Sequence, residues 1–277
     1  MTQPFNPAKA REKKKILNAK QVNLKEFSKL LIVAPFTIED FILCTPAIEA
    51  LKEALPPEGK ITVLVSDEVK KVSKSCKYID KVLCVKTLNP MTLISTLIDL
   101  NIAKHQLVVS FNQDLATAAL VSVVTSAKAK IAYANKDDKS AYNNMHNLLL
   151  HSLDHTQHKI IKYLNLARFI GANSYDFTPK LAISDEDNAY AKAFFKKNNI
   201  TGSDLLVGIH PASKTGKNRW SISKFAQLTT NLIDKYGCKI IVFAHKDEID
   251  RLNEYMVVTK KKAILVDTDD YMKMAAI

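Results

Sequence analysis

The chain has 277 residues, 47% of them hydrophobic and 25% charged, with a net charge of +12. That composition excludes bulk disorder, and six glycines with nine prolines exclude collagen-like and linker-like chains. No two glycines are spaced G-x-G and no G-K-[ST] occurs, which removes the Rossmann dinucleotide fingerprint and the Walker phosphate loop. Cys44, Cys76, Cys84 and Cys238 form no C-x-x-C pair, so neither a zinc site nor a disulfide framework is indicated, and a reducing cytoplasm fits. No apolar run reaches the roughly 18 residues of a membrane span, and no signal-peptide apolar core follows the basic start.

Residues 1–29 read as a basic extension. Eight of the first 30 side chains are basic (Lys9, Arg11, Lys13, Lys14, Lys15, Lys20, Lys25, Lys29) and two acidic (Glu12, Glu26), which is half the net charge. Such an arm suits an anionic membrane surface, nonspecific nucleic acid, or plain solvation. Interleaved aromatics would favour nucleic acid, and only Phe5 and Phe27 occur.

The apolar run 30–34 predicts a buried strand, followed by a helix over 40–55 that Pro56-Pro57-Glu58-Gly59 stops. A strand at 61–65 leads to Ser66-Asp67, a cap-like helix start. Strand 82–85, helix 90–102, strand 107–111, helix 113–126 and strand 131–133 follow in turn. Residues 135–150 read as a long polar loop. A helix over 156–170 ends at Gly171, and 173–183 reads as a linker. Ser184-Asp185-Glu186-Asp187 then has the capping-box form. After it come a helix to about Asn199, strand 205–209, helix 221–236, strand 238–244, helix 247–258, strand 263–266 and a helix begun at Asp269. Strand and helix alternate with unbroken apolar strands, which predicts two doubly wound parallel-sheet units, 30–172 and 184–277. The second has three strands where four to six are usual, so it reads as incomplete, with Leu265, Val266, Met272, Met274 and Ile277 uncovered.

Ligands of such units bind outside the carboxyl ends of the strands, so the chemistry is sought in the turns. The first turn, 34–40, ends with Asp40 at a helix start. A carboxylate there serves as a general base or, more plainly, complements the helix dipole. The second, Ile209-His210-Pro211-Ala212-Ser213-Lys214-Thr215-Gly216-Lys217-Asn218-Arg219-Trp220-Ser221, brings hydroxyls and three cations to a helix N-terminus. It suits a phosphate or diphosphate, or is a solvated loop with Ser221 as N-cap. Trp220 reads as a packing anchor and His210 as structural. In the third, Phe243-Ala244-His245-Lys246-Asp247-Glu248, Glu248 suits ribose hydroxyls or helix capping. His146, His151, His155 and His158 lack the carboxylate or cysteine pattern of a metal site, so no metal is expected.

Taken together these turns resemble glycosyltransferase family 9, the lipopolysaccharide heptosyltransferase family, from about Leu30 to Ile277. Asp40, Pro46, Ala47, Ile48 and Leu51 match the opening pattern G-D-x5-P-A-[IL]-x2-L. Tyr78-Ile79-Asp80-Lys81-Val82 matches an I-D-x-V before a strand. His210-Pro211-Ala212-Ser213, Lys217, Trp220 and Phe225-Ala226 echo P-G-[AS], K-x-W-P and a helix containing F-A. The resemblance implies a GT-B-like fold, with two Rossmann-like units facing a cleft, the first an acceptor domain and the second a donor domain. It implies transfer of a sugar, typically heptose, from an ADP-sugar substrate to a lipopolysaccharide core with inversion, without a cofactor or metal. Asp40 takes the catalytic-base position; Ser213 and Lys217 take the donor diphosphate; Glu248 is a donor-binding acid. The protein is expected in the cytoplasm, peripheral on the inner face of the bacterial inner membrane through its basic arm, with no specific nucleic acid partner.

The sequence departs from the pattern at several places. Glu39 replaces the Gly before the catalytic Asp, Ala34 replaces a basic residue, and Lys217 is displaced by one position. The family's D-[ST]-G-x-x-H donor motif does not occur after the helix begun at Asp269, which implies weak donor binding and little transfer by the 277-residue chain. Two rival readings are a non-catalytic GT-B-like sugar- or nucleotide-binding protein and a nucleic-acid-associated α/β protein using the arm.

Overall fold

The computed structural model divides into two units, Met1–Ala182 and Ile183–Ile277. It describes residues 19–85, 90–111, 121, 125–134, 143, 145–151, 156–211, 220–244, 248–260 and 262–277.

In unit 1 the strands are β1 (Lys29–Val33), β2 (Lys60–Ser66), β3 (Lys81–Val85), β4 (Leu107–Ser110), β5 (Ala129–Tyr133) and β6 (Leu148–Leu150). They form one sheet in the order β3-β2-β1-β4-β5-β6, every pair parallel. Leu31 of the central β1 pairs with Thr62 on one side and Val108 on the other. Leu30, Leu31, Ile32 and Val33 are all fully buried, as the apolar run requires where helices cover both faces. The helices are α1 (Ile38–Ala54), α2 (Lys70–Lys74), α3 (Pro90–Ile102) and α4 (Lys159–Phe169). Strand order reverses between β1 and β4, so their carboxyl ends flank the unit's topological switch point.

A Thr-Pro pair inside α1 ties down the segment leaving unit 1. Pro46 has no N–H to donate to the Ile42 carbonyl one turn back. The Thr45 hydroxyl donates to that carbonyl instead, at 2.7 Å, and accepts the Lys180 backbone N–H at 2.8 Å. The Lys180 ammonium bridges Glu49 and Asp176, and Tyr78 donates its hydroxyl to Glu49. Arg168 of α4 donates to the Ser174 carbonyl and lies over the Tyr175 and Phe177 rings. The linker read from the sequence is thereby held against unit 1 as far as residue 180.

Three details differ from the sequence reading. Leu24 and Phe27 are buried, so the last residues of the predicted arm pack onto unit 1 through short 3-10 turns. Residues 1–18 lie outside the described residues. Residues 148–150 form the sixth strand where a polar loop was expected. Their three leucines are flanked by Asn147 and His151, yet Ile131 pairs with Leu148, and the Asn147 amide caps the ladder by bonding Lys130 N–H and Lys128 C=O. The helix after 66–67 starts only at Lys70. The predicted helix 113–126 lies almost wholly outside the described residues.

In unit 2, three parallel strands are described, β7 (Leu206–Ile209), β8 (Lys239–Val242) and β9 (Ile264–Leu265), in that order. The helices are α5 (Asp185–Lys197), α6 (Ile222–Tyr236), α7 (Ile249–Val258) and α8 (Tyr271–Ala276). Ser184 caps α5, accepting the Asp187 N–H while donating its hydroxyl to the Asp187 carboxylate. Gly237 ends α6 at φ +63°, in the left-handed conformation that glycine adopts without a Cβ penalty. The expectation that the residues around and beyond β9 are uncovered is not met. Val266 and Met272 are each only 2% exposed, and Met274 and Ile277 pack onto Phe194, Ile200 and Ile241. The reason is that α8 folds back on α5 and supplies the cover that further strands were expected to give.

Candidate active site

Asp40 lies in the first turn of α1, just beyond the carboxyl end of β1. Thr37 caps the helix, its hydroxyl accepting the Asp40 N–H at 3.3 Å, and buried Ile38 and Phe41 anchor that turn in the core. The Asp40 side chain is 20% exposed, and both of its carboxylate oxygens accept from the Lys159 ammonium, at 2.6 and 2.8 Å. Lys159 is the first residue of α4, which packs closely on α1. The two helix N-termini lie together there, so their partial positive charges complement the carboxylate. Lys159 itself is 57% exposed, and an ion pair so open to water contributes about 0–1 kcal/mol. Its interest is geometric.

Tyr163 and Cys44 stand near Asp40. Burial pushes the Tyr163 phenol far up, and the charge on Asp40 pushes the same way. Burial likewise raises the Cys44 thiol, with Cys76 and Asp40 adding to it. Both therefore stay neutral at ordinary pH and are poor proton acceptors. The Tyr163 ring meets Phe111, at the end of β4, edge-on at 5.4 Å between centroids. Glu39, on the same turn, is exposed to water.

In unit 2, His210 follows β7 and Glu248 precedes α7. Their side chains approach at 3.4 Å between His210 Nε2 and Glu248 Oε2, with the Glu248 side chain only 9% exposed. Glu248 stands at the N-cap of α7 without making a side-chain capping bond, so capping does not explain its placement. His210, read as structural, is the partner found for it. Ser221 caps α6 as expected, accepting the Lys224 N–H at 3.3 Å. Trp220 is 45% exposed and packs edge-on against Phe225, a partial anchor. Ser213 and Lys217 lie outside the described residues. Asp40 belongs to unit 1 and Glu248 to unit 2.

Of the histidine series, His155 lies outside the described residues. His146 is buried with its Nε2 3.4 Å from the Ser110 hydroxyl, and His158 caps α4 by accepting the Ile160 N–H. Among the described residues no group of three or more His, Cys, Asp or Glu could hold a metal ion. None of their helices is long and apolar enough to cross a membrane.

Sequence reasoning missed Lys159, which stands 119 positions from its partner. The available signal was its place in the first turn of the helix preceding the linker, where a cation opposes the dipole and so asks for an acidic partner. It also missed the Ser110–His146 contact, since Ser110 sits within an apolar strand and His146 was read with the other histidines of the polar loop.

The family model for glycosyltransferase family 9 (heptosyltransferase) matches residues 100–265, more than half of the chain. Among solved structures, a glycosyl transferase family 9 protein from Veillonella parvula superposes with a TM-score of 0.78 at 20% identity. That match covers 92% of this chain and 74% of the other. The E. coli ADP-heptose lipopolysaccharide heptosyltransferase II gives 0.69 at 14% identity, covering 89% and 75%. The E. coli heptosyltransferase WaaC, with ADP-2-deoxy-2-fluoro heptose, gives 0.67 at 15% identity, covering 89% and 78%. The structures show the shared fold, that of the GT-B heptosyltransferases. No curated protein matches the chain.

Proposed function

Because the chain belongs to glycosyltransferase family 9, we propose that it transfers heptose from an ADP-sugar donor to a lipopolysaccharide core acceptor, with inversion. The observation that carries this reading is Asp40: a carboxylate just beyond β1 at the switch point, only 20% exposed and oriented through both its oxygens. In the reaction an acceptor hydroxyl oxygen attacks the anomeric carbon while Asp40 takes the hydroxyl proton. The anomeric carbon–oxygen bond breaks on the opposite face, the electron pair leaves with the diphosphate as ADP, and single displacement inverts the configuration.

On this reading unit 2 serves the donor. Ser213 and Lys217 precede the Ser221-capped N-terminus of α6 in the sequence, and hydroxyl and cationic side chains suit a departing diphosphate. Glu248 takes the ribose hydroxyls, for which a partly buried carboxylate is a fitting acceptor. The basic residues ahead of β1 attach the protein to an anionic membrane face, where each is worth about 1 kcal/mol. The WaaC structures were determined with ADP and with an ADP-heptose analogue, which supports the choice of donor.

The test is product analysis. The 277-residue chain, given ADP-heptose at high concentration and lipopolysaccharide core oligosaccharide, should raise the acceptor mass by one heptose with inverted anomeric configuration, slowly, as the weak donor binding expected from the sequence requires. Binding of ADP-heptose without any mass change would favour the binding-protein reading, and binding of neither substrate would reject both.

A further inference from the structure

A first-turn carboxylate ordinarily turns back onto the free N–H groups of its own helix. Asp40 does not: its hydrogen bonds run across to α4, both oxygens meeting the Lys159 ammonium at 2.6 and 2.8 Å. Two contacts from one ammonium fix the rotation of the carboxylate as well as its direction. Tyr163 and Cys44 are neutral, and Glu39 carries a like charge on the same turn. The ammonium is held from below, since Lys159 opens a helix packed along α1, and it stays accessible to water at 57% exposure.

We propose that Lys159 is the positioning residue for the candidate base, holding the Asp40 carboxylate away from its own helix and toward the substrate hydroxyl. This rests on the assignment of Asp40 as the base. Lys159 takes no proton and touches no reacting atom. Its part is geometric: the ammonium holds both carboxylate oxygens while its far side stays open to water. Misplacing a reacting group by about 1 Å costs up to roughly 10²-fold. A carboxylate freed to rotate still visits the productive orientation, so removing the ammonium should cost about tenfold in kcat.

The experiment uses the full chain with ADP-heptose and lipopolysaccharide core oligosaccharide. Lys159→Met should lower kcat about tenfold while the donor KM moves less than about twofold, and Lys159→Arg should restore most of the loss, since the fork still reaches a carboxylate. Lys159→Met at full kcat, with Asp40→Asn inactive, overturns the positioning role and leaves the base assignment standing. Asp40→Asn at full rate overturns the base assignment itself. A second measurement needs no turnover: a zero-length carbodiimide cross-link followed by peptide mass spectrometry. Asp40–Lys159 should join about as efficiently as the Lys52–Asp80 pair, which meets at 2.7 Å. Cross-linking of Lys52 to Asp80 alone would show that the Asp40–Lys159 contact does not persist in solution, and would also overturn the proposal.

Discussion

His105, just before β4, offers a quantitative test of how unit 1 is packed. It is only 4% exposed, its Nδ1 has no hydrogen-bond partner, and its ring donates to the Leu100 carbonyl. Burial, aided by the charges of Lys29 and Lys81, lowers its pKa from 6.5 to about 4. The folded state therefore binds fewer protons than the unfolded state between these values. Its full contribution to stability is present above about pH 6.5 and is lost as pH falls toward 4, below which the loss levels off. A displacement of two to three units at 1.36 kcal/mol each corresponds to about 3 kcal/mol. His105→Gln keeps a side-chain donor and cannot titrate, so its stability should fall by about 3 kcal/mol less than wild type between pH 7 and pH 4. The assay is urea unfolding of the full chain followed by far-ultraviolet circular dichroism. Trp220 fluorescence is the wrong probe, because the single tryptophan lies in unit 2. Equal losses for wild type and variant across that range would refute the buried, neutral imidazole.

Lys180→Met removes the bridge between Glu49 and Asp176. Chymotryptic cleavage after Tyr175 and Phe177, which are 82% and 45% exposed, should then speed up several-fold without loss of the fold. An unchanged cleavage rate would show that the Thr45 and Arg168 contacts hold the segment alone. In unit 2, Thr229→Val leaves the hydroxyl of fully buried Tyr255 without its partner and should cost about 1–3 kcal/mol. Trp220 fluorescence in urea should report that change.

The fold was legible because its strands speak plainly. Leu30 to Val33, Ile61 to Val65 and Leu107 to Val109 are apolar runs too short for helices and buried on both faces, which is the signature of a parallel sheet. Gly171 marked a helix end because it takes positive φ there. The sixth strand was hidden because three leucines at a sheet edge carry little signal beside polar neighbours. The cover over Val266 and Met272 was hidden for a related reason. Counting strands assumes that a sheet face is covered by more sheet and its helices, whereas α8 packs back on α5 and does the same work. Asp40 was legible as a carboxylate at a strand-to-helix turn. Lys159 was not, because helix–helix packing brings together residues that no local spacing relates. For the same reason, the role of Thr45 and Pro46 in holding Lys180 has no local signature: Thr45 and Lys180 stand 135 positions apart.

The central claim is that Asp40 is the base of a sugar transfer, and the most direct measurement is ADP release from ADP-heptose by wild type and Asp40→Asn in the presence of core acceptor. Asparagine keeps the shape and cannot take the proton, so the rate should fall by about 10²–10⁴-fold. Donor affinity measured by calorimetry should stay within about threefold. A variant that releases ADP at the wild-type rate, and still delivers the sugar to the acceptor, would contradict the account.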